Sequence, residues 1–137
     1  MIIDFKNIDG DNYVTVPHRC MDYLDRVLFN STCLFYNMKL KKYMYNTFNK
    51  CNIDKVDCYI YHVPDNKIVL LGSLIKQDES IPHSFSFERN NKIDWEQFYK
   101  ENISFYENYY EQKNISFYFK LKNNKELAKF KICYVEQ

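Results

Sequence analysis

The sequence predicts an α+β protein: an antiparallel sheet of about five to seven strands carrying two amphipathic helices, over roughly 17–29 and 93–111. Three observations predict it. Short runs alternate apolar and polar residues between turn signals, as half-buried strands do. Two longer runs place apolar residues three and four apart, as helices do. A five-letter word, Asn-Ile-Ser-Phe-Tyr, occurs at 102–106 and again at 114–118, embedded in contexts of different period.

The opening stretch MIIDFKNIDGDNYVTV reads as two short strands around an Asp9-Gly10-Asp11-Asn12 turn. Pro17 then suits the first turn of a helix, where its missing N–H costs nothing. Cys20, Met21, Tyr23, Leu24, Val27 and Leu28 share one arc of a helical wheel, with Arg19, Asp22, Asp25 and Arg26 outside it. Residues 31–50 fit two periods. As a helix the run is apolar all round with scattered lysines, whereas Leu34, Tyr36, Met38 and Leu40 alternate cleanly, which favours a strand over 32–40. Segments 55–63 and 67–76 flank Pro64-Asp65-Asn66 and form a hairpin, its second arm apolar on both faces and therefore placed inside the sheet. Phe85 and Phe87 mark a further strand over 83–88.

The repeated word resolves by period. Around its first copy, Trp95, Tyr99, Ile103, Tyr106 and Tyr110 recur at steps of three and four, flanked by Phe98, Phe105 and Tyr109. That is a helix. Around its second copy, Ile115, Phe117, Phe119 and Leu121 alternate with Ser116, Tyr118, Lys120 and Lys122, which is a strand. A turn at Asn123-Asn124 leads to a last arm in which Ala128, Phe130, Ile132 and Tyr134 alternate with Lys129, Lys131 and Cys133. The word is coincidence, not duplication. Packing of the Trp95 stripe on sheet positions such as Phe117 and Phe119 is the expected main source of stability. No Pro-, Gly- or Ser-rich linker interrupts the chain, so 1–137 reads as a single domain.

Composition limits what the aromatic residues signify. Phe, Tyr, Met, Ile, Asn and Lys make up 71 of the 137 residues, all with AT-rich codons. An AT-rich gene, from an AT-rich genome or from a mobile or viral element inside another, supplies Tyr and Phe as core material, without a ligand platform being needed. Lys and Arg total 19 against 18 acidic residues, a formal charge of +1 that neither imitates nor demands nucleic acid. Five cysteines at irregular spacings fit a reducing, cytoplasmic setting. The start carries no basic region followed by an apolar stretch, and no run of about 20 apolar residues offers a membrane span.

Catalytic chemistry finds no constellation. Cys51, Cys58 and His62 lack a Cys-x-x-Cys anchor, and on a strand Cys58 and His62 sit roughly 13 Å apart, too far to share a zinc. Gly10 and Gly72 form no phosphate cradle. No metal or other cofactor is expected. His18 and Cys20 point to different sides of a helix. A pair such as His62 with His83 could support a small hydrolase or nuclease, a third reading.

Two binding readings rank above it. The helix over 93–111 carries Glu96, Glu101, Glu107 and Glu111 against a single lysine, with Tyr109 at the border. Such a face suits a basic protein partner. The leading expectation is a non-enzymatic inhibitor acting by steric occlusion, of the immunity-protein or anti-defence type, whose partner is a toxin or host-defence enzyme with a basic surface. The alternative is a nucleic-acid-binding accessory protein. In it Lys39, Lys41 and Lys42 alternate with Tyr43 and Tyr45 as charge plus stacking, and Lys120, Lys122, Lys129 and Lys131 form a second stripe on the terminal hairpin.

Overall fold

A computed structural model describes residues 3–17, 37–62, 67–77, 85–106 and 116–135. The first two strands are β1 (Asp4–Ile8) and β2 (Asp11–Pro17). Asp9 and Gly10 both take positive φ, 52° and 89°. Two such residues between paired strands make the primed turn whose twist matches a hairpin. Pro17 therefore closes a strand, paired with Ser116, and does not open a helix. The remainder of the helix expected over 17–29 lies outside the described residues.

Helix α1 (Met38–Cys51) replaces the strand expected over 32–40; residues 32–36 lie outside the description. Asn37 caps it, its side chain accepting from the Leu40 N–H at 3.0 Å, which satisfies one of the donors a helix start leaves open. Leu40, Tyr43, Met44, Thr47 and Phe48 form the buried stripe. Asn52, in the left-handed conformation at φ 54°, ends the helix and returns its N–H to Asn49 and Phe48.

Strands β3 (Lys55–His62) and β4 (Lys67–Lys76) form the expected hairpin, and β5 (Phe85–Arg89) pairs with β4. The register of β3 on β4 slips between Cys58 and Tyr59, leaving Leu71 as the extra residue of a bulge. Beside it, Gly72 lies against β5, and a Cβ there would run into the carbonyl oxygen of Glu88. Glycine is required for that close approach.

Helix α2 (Trp95–Tyr106) and strand β6 (Ser116–Lys120) then carry the two copies of the repeated word, the first in the helix and the described part of the second in the strand. The final arm is a helix, α3 (Asn124–Val135), where sequence alternation predicts a strand. The cause is local and tertiary. Asn123 accepts from the Glu126 N–H at 3.0 Å, and Glu126 accepts from the Lys122 N–H at 2.7 Å, a capping arrangement that starts a helix. Phe130 and Cys133 then bury on one side while Ala128 and Ile132, half of the supposed apolar face, stay exposed.

The protein is thus α+β. The six described strands form one antiparallel sheet in the order β1-β2-β6-β3-β4-β5. On one face Val14, Val16, Phe117, Phe119, Cys58, Ile60, Leu74, Phe85 and Phe87 meet the buried stripes of α1 and α3 together with Phe98 of α2. Phe117 and Phe119 are fully buried at the centre, each contributing about 1.5–3 kcal/mol by leaving water. Trp95 is only half-buried, its ring against Phe98 and beneath the Arg89 guanidinium. Of the stripe expected to cover Phe117 and Phe119, Trp95 and Phe98 are described and join the core cluster, to which α1 adds Leu40, Tyr43, Met44 and Phe48 and α3 adds Phe130 and Cys133. The side chains of Tyr99, Ile103, Tyr106 and Tyr110 lie outside the description.

Candidate functional site

Each candidate group can be located from the element that carries it. Asp94 caps helix α2, its carboxylate accepting from the Gln97 N–H at 3.2 Å. Burial of Phe98 turns Glu96, Gln97, Lys100 and Glu101 to solvent. Glu101 accepts from the Gln97 amide at 3.0 Å, one turn away. Acidic side chains thus flank the helix's first turns, where its dipole favours negative charge. Glu107, Tyr109 and Glu111 lie outside the described residues.

The segment 39–45 is the first half of α1, and its geometry separates the two residue types. Lys39 and Lys42 are exposed and Lys41 is half-buried, whereas Tyr43 and Tyr45 are buried beneath them. Tyr43 is 1% exposed, donates to the Phe130 carbonyl and packs edge-on against Phe130 and Tyr134. Burial, followed by the nearby Cys133 thiol, pushes its phenol well above the ordinary value. Tyr45 sits edge-on to Phe85 with the Lys76 ammonium over its ring. Rings held in this way do not offer faces to bases. Lys129 and Lys131 stand on α3, not on a hairpin arm, and both are exposed.

The opposite face of the sheet holds a cluster that sequence reasoning did not single out. Tyr13 of β2 packs edge-on against Tyr59 of β3 at 5.8 Å and Tyr118 of β6 at 6.1 Å. Cross-strand pairing puts Lys120 opposite Tyr13 and Tyr118 opposite both Thr15 and Tyr59. Lys120 reaches the Asp11 carboxylate at 3.5 Å. Burial and then Asp11 raise the Tyr13 phenol, and burial raises that of Tyr59. Lys120 is raised too, by the oxygen of Tyr59 and then by Asp11. All three groups are therefore held in their protonated forms. The signal that could have found them is the same alternation, which puts Tyr13, Tyr59 and Tyr118 out of phase with the core positions.

The thiols are similarly subdued. Cys58 is fully buried opposite Phe119 and Gly72, and desolvation drives its pKa strongly upward; burial also raises that of the half-buried Cys51. A thiol held as S–H is a poor nucleophile. Among the described residues no group of three or more His, Cys, Asp and Glu side chains is placed to hold a metal ion. His62 ends β3, but its side chain, together with His18 and His83, lies outside the description. No described helix is long and apolar enough to cross a membrane. No protein-family model matches the chain, and neither a curated protein nor a solved structure gives a match.

Proposed function

We propose that the protein works without chemistry of its own, as an inhibitor that occludes a functional surface of another protein. Immunity proteins that neutralise a toxin, or anti-defence proteins that block a host enzyme, act in this way. The observation that supports it is the setting of α2: Phe98 anchors the helix in the core, and Glu96 and Glu101 project from the same turns into solvent. A helix fixed at its apolar side presents its charges in a constant arrangement, so little ordering is needed on binding. The carboxylates would steer association with a basic partner, and occlusion would follow from covering about 800 Å² of it. The upward-shifted Cys58, Tyr13 and Tyr59 agree with this reading, since none is set up as a nucleophile or base at neutral pH.

The test is co-purification from the native host with the wild-type chain and with a Glu96→Lys/Glu101→Lys variant. The expected result is a protein retained one-to-one by the wild type and released by the variant, with inhibition of that protein lost in parallel. Equal retention by both chains, or retention without any effect on the partner's activity, would exclude the occlusion reading.

A further inference from the structure

The tertiary fold brings together two lysine-rich helices that are far apart in the sequence. Helix α1 contains Lys39, Lys41, Lys42 and Lys50 and no acidic residue; α3 contains Lys125, Lys129 and Lys131 and one acid, Glu126. These two helices pack side by side on the same face of the sheet. They run in opposite directions: Tyr43 meets Tyr134, while Phe48, further along α1, meets Phe130, earlier in α3. Seven lysines against one glutamate make a local balance of +6 in a chain whose formal charge is +1.

The charge is directed outward. Burial of Leu40, Tyr43, Met44 and Phe48 leaves Lys39, Lys42, Asn46, Asn49 and Lys50 on the solvent side of α1. Burial of Phe130 and Cys133 leaves Lys125 and Lys129 exposed on α3; Lys131 is exposed too, but on the other flank, with its ammonium 5.7 Å over the Phe5 ring of β1. The one carboxylate, Glu126, is half-buried and already accepts the Lys122 N–H. Among the described residues Lys39, Lys42, Lys125 and Lys129 make no ion pair with a carboxylate; the ion pairs described there are Lys55 with Glu88 and Lys120 with Asp11.

We propose that the paired outer faces of α1 and α3 form a docking surface for the phosphate backbone of a double-stranded nucleic acid. This goes beyond the occlusion reading and uses a different face of the protein. The charge complementarity is spatial as well as numerical. Lys39 to Lys50 spans about 16 Å at 1.5 Å per residue, and neighbouring helix axes lie about 8–10 Å apart. A surface of that size can meet several phosphates of a duplex, which carries one charge per about 1.7 Å of its axis.

Three features select this occupant. Tyr43, Tyr45, Phe48 and Phe130 are buried and Tyr134 packs edge-on against Phe5 and Tyr43, so among the described residues the two helices present no open stacking ring of the kind with which proteins hold single strands. Neither helix contains arginine, so bidentate reading of base edges is not supplied, and contact is with the backbone, independent of sequence. The large apolar side chains exposed among the described residues are Met38, at 67%, and Ile132, at 51%; two isolated groups do not make the apolar face with which a helix enters a lipid interface.

Fluorescence anisotropy with a random-sequence 30-base-pair DNA duplex tests the proposal, alongside the matching single strand, poly-glutamate and phosphatidylserine vesicles. The wild-type chain should bind the duplex at 50 mM salt without regard to its sequence. Binding should weaken on the order of 100-fold by 200 mM, the response expected when about four phosphates are neutralised. A Lys39→Glu/Lys42→Glu/Lys129→Glu variant with an unchanged circular dichroism spectrum and melting curve should lose binding by at least tenfold. Three matched reversals elsewhere, Lys6→Glu, Lys55→Glu and Lys92→Glu, should lose much less. The proposal is overturned if the duplex does not bind at 50 mM salt, if both variants lose binding equally, or if the single strand, poly-glutamate or the vesicles bind as tightly as the duplex.

Discussion

The Tyr43 hydroxyl donates a 2.7 Å hydrogen bond to the backbone carbonyl of Phe130, 87 residues further along the chain. The two rings also meet edge to face at 6.2 Å, and neither residue is more than 1% exposed. One side chain thus joins α1 to α3 by a polar and an apolar contact at once, and holds the two lysine-bearing helices in register.

Tyr43→Phe should keep the ring packing and remove only the hydrogen bond. The Phe130 carbonyl lies within an α-helix and keeps its helical partner, so no buried acceptor is left bare. The expected loss of stability is about 0.5–1.5 kcal/mol, read as a lower urea midpoint at unchanged slope. A midpoint equal to that of the wild type would mean that the hydroxyl contributes nothing to holding the helices together.

Asn123 caps α3 through the Glu126 N–H. Asn123→Ala should cost about 1 kcal/mol, whereas Asn123→Gly should cost only a few tenths, because glycine is itself tolerated at a helix start. Urea denaturation of both variants checks the order. Equal losses would show that the side chain is not serving as a cap.

Alkaline pH should destabilise the fold, starting with Cys58. Its folded pKa is raised above the ordinary 9.0 by complete burial, so above pH 9 the unfolded chain releases a proton that the folded chain keeps. Stability conferred by the neutral thiol is fully present below pH 9 and declines as pH rises past it, by about 1.4 kcal/mol per pH unit for one proton. Tyr43, raised from 10.0 in the same sense, adds to the decline above pH 10. Unfolding free energies at pH 8, 9 and 10 should therefore fall in the wild type. A Cys58→Ala variant should show a shallower fall between pH 9 and 10; an identical slope would assign the loss to other groups.

Much of the fold was legible because its signals are local. Asp9-Gly10 marks a hairpin since both positions take positive φ. Phe98 and the residues around Trp95 recur at helical spacing, so the outward placement of Glu96 and Glu101 followed from the wheel. Two segments misled for one shared reason: their apolar residues satisfy both periods. In 34–40 an even-numbered alternation concealed the helical stripe Leu40, Tyr43, Met44, Thr47 and Phe48. In 128–134 it concealed the pair Phe130 and Cys133, although the Asn123-x-x-Glu126 spacing was a helix-start signal in plain view.

By itself, the sequence determined the class of the protein, the Asp9-Gly10 turn and the helical first copy and extended described part of the second copy of Asn-Ile-Ser-Phe-Tyr, because period and turn chemistry act over a few residues. Tertiary structure alone decided that β6 inserts between β2 and β3, and that α1 and α3 lie side by side with Lys39, Lys42, Lys125 and Lys129 exposed. Those outcomes depend on which apolar faces cover one another. A run that fits either period adopts the one that buries Tyr43 and Phe130 against the sheet.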